Sequence, residues 1–390
     1  MLRKLIAMLA LLCLLTTAMA ALATEPEEDV SLADALGTTD AQDAADAAVP
    51  DSEAQAPVDP AAPVYELDGS IVVKMTFTGD FTIGDNVQAS GKSIFEKELE
   101  RQKGDLNFPF RDFKEILEND DLTVLNFEGT LTTASRNRTK LNNEFLFRAD
   151  PAYAKILPDN GVECVSLENN HVLDMGEEGY AETKRVLTGA GVGYACEAEP
   201  ALFTLYGVKV GVLAYQQLRA DVDRLMKDVP ADIQNLKDQG ADLVICAFHW
   251  GEELDYYPNA NQQRMAKAAI DGGADLVVGH HSHRINPVEE YNGKYIVYSL
   301  ANFAFAGNTK PSDMSTFLFQ IKFRVKDGEV TTPDGFIIIP ARISSNTSYN
   351  DFIITPYTKR ENIDSVVSVL KKNGEQLENP VPDYPLSWEE

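Results

Sequence analysis

The stretch DLVVGHHSHRINPVEEYNGKYIVYSLANFAF, residues 275–305, organises the chain. It opens on a short apolar run, Leu276 to Val278, of the kind that forms a buried parallel strand. Gly279 ends the run, and His280, His281 and His283 follow within four residues. The chain has five histidines; the other two are His171 in SLENNHVLDMG and His249 in VICAFHWGEE. Each also sits just past an apolar, strand-like run. A parallel sheet gathers its ligands at the carboxyl ends of its strands, so all five imidazoles converge on one edge. A backbone-bonded structural histidine is the plainer account of any one of them. With every histidine placed this way, and two spaced His-x-His, the pattern predicts a metal site.

Working outward, the same alternation of short apolar runs and amphipathic segments continues on both sides. Strands are expected at 71–77, 122–125, 162–167, 243–248 and 276–278, with a hairpin of 202–206 and 208–215 turned at Gly207. Helical spacing covers 110–117, 151–157, 177–187, 221–238 and 261–270. From Pro287 onward the pattern shifts to antiparallel strands, with turns at Asn292-Gly293, Asp327-Gly328 and Asp334-Gly335. The result is one α/β domain over residues 66–390.

The ends of five strands supply Asp80, Glu128, Asn170 with His171, His249, and His281 with His283. Two carboxylates, an amide oxygen and several imidazoles are the ligand types a pair of divalent metals requires. One carboxylate can bridge two ions about 3.5–4 Å apart, which together clamp the attacking and leaving oxygens of a phosphoryl group. His171, beside Asn170, is then free to protonate a leaving oxygen, and Asp174, three residues on, to orient it.

The amino-terminal region is different material. Residues 1–23 read as an export signal, with Arg3 and Lys4 before an apolar core at 5–15 that is short for a bilayer span. A retained membrane anchor is the alternative. Residues 24–65 form an acidic linker rich in Ala, Asp and Pro, and its first part, 24–60, carries eleven acids and no Lys or Arg. Such a segment buries too little apolar surface to offset its ordering entropy.

The chain's formal charge is −27; without the signal and the acids of 24–60 it is still near −18. That argues against nucleic acid as a partner, whose phosphates need a cationic face. Cys164, Cys196 and Cys246 are odd in number, and two lie in apolar runs. Buried free thiols are the expectation, one disulfide with a spare the alternative.

In order, GDFTIGD (79–85), NFEGTLT (126–132), SLENNHVLDMGEEG (166–179), FHWGEE (248–253) and the run from Gly279 to Phe303 resemble the CapA family of exported capsule-synthesis proteins. More distantly they resemble the calcineurin-like binuclear metallophosphoesterases. The resemblance spans Val72 to Phe305. It implies a four-layer α/β/β/α sandwich with divalent metal (Mn, Fe or Zn, two ions) at one edge of the sheets. It also implies a bacterial surface protein connected with poly-γ-glutamate or a similar polymer, with a membrane-bound polymer synthase as partner.

By the same resemblance Asp80 matches the first metal-binding Asp, and Glu128 stands where phosphoesterases have a bridging Asp. Asn170 and His171 match their Asn-His pair, His249 the isolated histidine, and His281 and His283 the final His-x-His. His280 is the additional one, expected to face substrate or to support the ligands from behind. Thr82 departs from the phosphoesterase pattern, which has histidine there; Glu168 and Ala301 stand where the CapA family commonly has Ala and Gly.

Arg136, Arg138, Lys140 and Arg148 are the densest basic group of an acidic domain. Arg138 and Arg148 are the expected contacts to an anionic capsular polymer or phosphoester; an ordinary solvated loop is the other reading. Two functions therefore stand open: a metal-dependent hydrolase, and a non-catalytic surface factor that binds or helps export an anionic polymer.

Overall fold

The computed structural model describes residues 66–86, 93–134 and 145–388, except 67, 198, 219, 328 and 332. The export signal at 1–23, the linker at 24–65 and the loop residues Arg136, Arg138 and Lys140 lie outside the described residues.

Side chains alternate faces along a strand, and here the alternation sorts them into separate cores. On the Leu243–His249 strand, Leu243, Ile245 and Ala247 enter one core, while Val244, Cys246 and Phe248 enter another. On Leu122–Phe127, Leu122 and Val124 share that first core, and Leu125 and Phe127 turn the other way. The shared core fills the space between two sheets.

One sheet runs in spatial order Thr355–Pro356, Phe336–Arg342, Ser315–Lys326, Ile71–Thr82, Leu122–Phe127, Cys164–Ser166 and Gly193–Ala195. The other runs Val288–Tyr291, Lys294–Val297, Leu276–His280, Leu243–His249, Val208–Gln216 and Ala201–Leu205. Each fully buried Val, Ile or Phe between them contributes about 1.5–3 kcal/mol.

Helices cover the outer faces. Val222–Asp238 and Ala260–Asp271 pack Leu225, Val229, Ile233, Met265 and Ala269 onto the second sheet. The Asn259–Gln262 capping box starts the latter helix, satisfying amides at its first turn. Ile94–Arg101 and Gly176–Gly189 contribute Phe95 and Leu187 to an aromatic-rich core on the first sheet. The architecture is α/β with four layers, as expected.

Several elements differ from expectation. The helical spacing at 110–117 is divided between a 3₁₀ turn, Phe108–Phe110, and a single turn, Lys114–Leu117; Phe110 and Phe113 point into the aromatic core beside Phe303. The segment after Pro287 is not purely antiparallel: Lys294–Val297 pairs parallel with Leu276–His280, and Asn302–Phe305 pairs parallel with Ile71–Thr82. It also ends in a helix, Arg360–Gly374, whose Val366 and Leu370 close one side of the inter-sheet core. Cys164, Cys196 and Cys246 are buried thiols outside any disulfide. Among the described residues no helix is long and apolar enough to cross a membrane.

Candidate metal centre

The parallel strands of both sheets end on the same side, and their last inward positions carry polar groups. Asn126 and His249 continue the inward parity of Val124 and Ala247, so alternation sends both between the sheets. Asp80 arrives differently. The register between the Ile71–Thr82 and Leu122–Phe127 strands shifts between Phe77 and Asp80, which re-aims the carboxylate into the site. Gly79 permits this, because a Cβ there would lie 2.0 Å from the Ala301 carbonyl oxygen.

Asp80 is fully buried and heavily bonded. Its Oδ1 accepts from Asn126 Nδ2 at 2.8 Å, and its Oδ2 accepts from the His281 amide at 3.2 Å. His283 Nδ1 lies 3.2 Å from the same Oδ2 and 2.8 Å from Asn302 Oδ1. Asp80, Glu128 and His283 each place a ligand atom within 4.8 Å of the others. Glu128 is buried, and its Oε2 has no hydrogen-bond partner among the described residues.

Beside this triad, His249 Nε2 meets Asn170 Oδ1 at 2.8 Å, and its Nδ1 lies 3.3 Å from Asn126 Nδ2. The His281 ring centroid is 4.7 Å from that of His249 and 6.1 Å from that of His283. Its Nδ1 is buried without a hydrogen-bond partner among the described residues. His281, His283 and Ala301 all have positive φ, at 94°, 52° and 62°. This is backbone strain of the kind held at functional sites. Ser282 pins the loop between the histidines, its hydroxyl donating to the Arg284 carbonyl at 2.9 Å.

His171 completes the edge. Its Nδ1 donates to Asp174 Oδ2 at 2.7 Å, while Nε2 faces Glu128 Oε1 at 3.7 Å. Asp174 Oδ2 also accepts from the Phe147 amide at 2.6 Å, and the Phe147 ring packs 4.4 Å from the imidazole. Asp174 therefore orients His171, the arrangement its spacing suggested.

The electrostatics follow from burial. Burial would raise Asp80, but the hydrogen bond and charge of His283, with His280 and His249, hold it below the usual carboxylate range. Burial, then repulsion from Asp80, pushes Glu128 well above that range. Burial would lower His283, but the charge of Glu128 and the bond to Asp80 outweigh it and lift it to about 9. Burial and the neighbouring His283 push His281 down to about 4; burial and His281 hold His249 well below its ordinary value. The triad thus takes up protons to offset its own charge, and a divalent cation relieves the same imbalance. Neutral His249 and His281 are in the protonation state that ligates metal. The orphaned Glu128 Oε2 and His281 Nδ1, in a mixed oxygen and imidazole donor set, fit a transition-metal ion.

Not every expected residue is at the site. His280 is 2% exposed and its Nε2 bonds the Thr78 carbonyl at 3.1 Å, so it ties the two sheets together rather than facing substrate. Strand parity explains this, since Leu276 and Val278 of the same strand also point between the sheets. Arg148 is exposed and donates from Nη1 to the Ala134 carbonyl at 3.2 Å; it does not line the cleft beside the cluster. Glu168 accepts from the Glu197 amide at 3.2 Å, away from the triad.

A cleft of about 420 Å³ opens onto the cluster, lined by Glu128, His171, His283, Asn302 and Arg284 among polar groups. Its apolar walls include Phe145, Phe147 and Phe305. Residues 74–307 match the family described as bacterial capsule synthesis protein PGA_cap.

The chain belongs to that family. Relatives within reach include the "PGA biosynthesis protein CapA" of Bacillus subtilis, 30% identical over 315 residues, covering 75% of this chain and 79% of that one. The "Capsule biosynthesis protein CapA" of Bacillus anthracis is 29% identical over 272 residues, covering 64% of each chain. A "Probable polyglutamine synthesis accessory protein" of Mycobacterium tuberculosis is 31% identical over 231 residues, covering 50% of this chain and 58% of the relative. The chain thus spans less than two thirds of the length of the latter two. The family match contains Asp80, Glu128 and His283.

The sequence pattern assigned no role to Asn126, Asn302 or Arg284, and read Asn169 only as part of the Asn169-Asn170-His171 run. Asn169 donates to Asn126 Oδ1 at 3.1 Å, so three amides brace the ligands from behind. Asn126 stood two residues before Glu128 on the inward parity, a signal that period-two counting could have found.

Proposed function

We propose that this chain is an exported protein of capsular or poly-γ-glutamate polymer synthesis, and that its strand-end cluster is a metal-dependent hydrolase site. The observation carrying this reading is the buried triad of Asp80, Glu128 and His283, with Glu128 Oε2 left without a partner. Asp80, Glu128, Asn170, His249, His281 and His283 would hold Mn, Fe or Zn, two ions on the family resemblance. Such metal, when bound, polarises an ester or amide oxygen and lowers the pKa of water.

The chain's own residues supply the rest. Asp174 keeps the His171 proton at Nδ1, so Nε2 is the atom that gives or takes a proton at the leaving oxygen. Phe147 packs a tilted ring against the imidazole, 4.4 Å between centroids. The amides of Asn126 and Asn302 fix the Asp80 carboxylate and the His283 ring. Export by residues 1–23 and assembly with a membrane-bound synthase belong to the same proposal.

The test is hydrolysis of a phosphoester and of a γ-linked glutamyl peptide before and after chelation. Activity lost on chelation and restored by Mn²⁺ or Zn²⁺ supports the reading; activity indifferent to chelation sinks it.

Thr82 favours a second reading, a polymer-binding factor. It occupies the position where phosphoesterases have a histidine, and its hydroxyl accepts from the Gly84 amide at 3.3 Å. On that reading a His171 variant still supports capsule formation.

A further inference from the structure

We propose that Arg284 is the substrate-positioning residue of this site, taking an oxyanion of the molecule on which the cluster acts. The inference rests on the reading above for where the reacting bond lies. Arg284 follows His283 directly, is 6% exposed, and lines the cleft with Glu128, His171 and His283. Its Nη1 donates to the His283 carbonyl and its Nη2 to Ser312 Oγ, each at 2.7 Å. The guanidinium lies over the Tyr256 ring, 5.6 Å from its centroid.

No carboxylate among the described residues forms an ion pair with it. Asp313 stops one bond short, accepting from the Tyr256 hydroxyl at 2.6 Å. Glu253 lines the same cleft without forming an ion pair with Arg284. A buried charge without a counter-ion is costly, and an anionic ligand entering the cleft would relieve that cost. The two bonds to His283 and Ser312 use two of the five N–H donors of a guanidinium. They also fix it before any ligand binds, which lowers the entropy cost of binding. A fork of this kind matches a planar carboxylate or a phosphate.

Arg284 thus occupies the kind of place that Arg148 was expected to fill. The oxyanion has two sources: the free α-carboxylate that flanks every amide of a γ-linked glutamyl chain, or the non-bridging oxygens of a phosphoester.

The test is calorimetric titration of the Mn²⁺-loaded full chain with inorganic phosphate and, separately, with γ-linked triglutamate. Parent, Arg284→Gln and Arg284→Lys are compared, with metal content and Tm recorded for each. The parent is expected to bind at least one probe, and the one whose binding depends on Arg284 identifies the source. Arg284→Gln should weaken that binding about 10- to 100-fold at unchanged metal content, with Arg284→Lys in between. Should Arg284→Gln not fold, Arg284→Lys carries the comparison, since it keeps the charge and loses the fork.

Binding unchanged by the substitution, or no binding of either probe by the parent, overturns the proposal. Arg284-dependent binding in a chain that never hydrolyses either substrate leaves this inference standing and removes the hydrolase reading. Metal-dependent hydrolysis with Arg284-independent binding does the reverse.

Discussion

His171 and Asp174 are joined by a 2.7 Å hydrogen bond from Nδ1 to Oδ2, and the same carboxylate oxygen takes the Phe147 amide. This fixes which imidazole nitrogen faces Glu128. Asp174→Ala removes the acceptor, and the ring is no longer held with its proton at Nδ1. Turnover of whichever substrate proves active should fall by about 100-fold or more, within the range that general acid–base catalysis supplies. Metal content should stay at the parent level, which separates this effect from loss of the centre. A variant with parental turnover would remove His171 from the chemistry.

Gly79 is required by a close approach rather than by its φ. Gly79→Ala sets a Cβ 2.0 Å from the Ala301 carbonyl oxygen, where only backbone can yield. The expected loss is about 3 kcal/mol or more, read as a fall in Tm and in the denaturant midpoint. A variant as stable as the parent would mean the two strands have slack at this crossing.

Ala301 offers the opposite case. It holds φ at 62°, a conformation costing an alanine about 1–2 kcal/mol. Ala301→Gly relieves that strain but gives the unfolded chain more freedom, an offset of about 0.5–1 kcal/mol. The net expectation is a gain of up to about 1 kcal/mol, seen as a rise in Tm with metal binding unaltered.

The chain's stability should also depend on pH through Asp120, which precedes the Leu122–Phe127 strand that Glu128 follows. Burial and the charge of Glu163 push its carboxyl up to about 8, against hydrogen bonds from Thr76 and Thr123. The folded chain therefore binds more protons than the unfolded chain between about pH 4 and pH 8. Stability falls as pH rises through that window. Asp120→Asn removes the titration, so its Tm advantage over the parent should widen from pH 5 to pH 8.5. An advantage constant with pH would place the Asp120 carboxyl at an ordinary value.

Much of the site was legible because metal ligation restricts residue type and strand ends restrict position. Asp80, Glu128, His171, His249, His281 and His283 each followed a short apolar run, and the structure gathers them. Side-chain direction was less accessible. His280 shares the GHHSH motif yet points between the sheets, and only its parity with Leu276 and Val278 distinguishes it.

The bracing amides Asn126 and Asn302 were hidden for another reason. Their role depends on pairing across Asp80, whose register partners are Asn302 on one side and Asn126 on the other. Such long-range register is absent from local pattern. Arg284 was obscured by denser basic residues elsewhere, and burial rather than density marks it. The division into two sheets likewise depends on the long antiparallel ladder of Ile71–Thr82 with Ser315–Lys326, some 240 residues apart in the chain.

The most direct measurement is elemental analysis of the purified full chain against an Asp80→Ala, His283→Ala double variant, each incubated with Mn²⁺ or Zn²⁺ and then desalted. The account predicts stoichiometric transition metal in the parent, two ions per chain if the family resemblance extends to metal count, and its loss from the variant. A parent that retains no metal, or a double variant that retains it in full, would contradict a metal centre at this edge of the sheets.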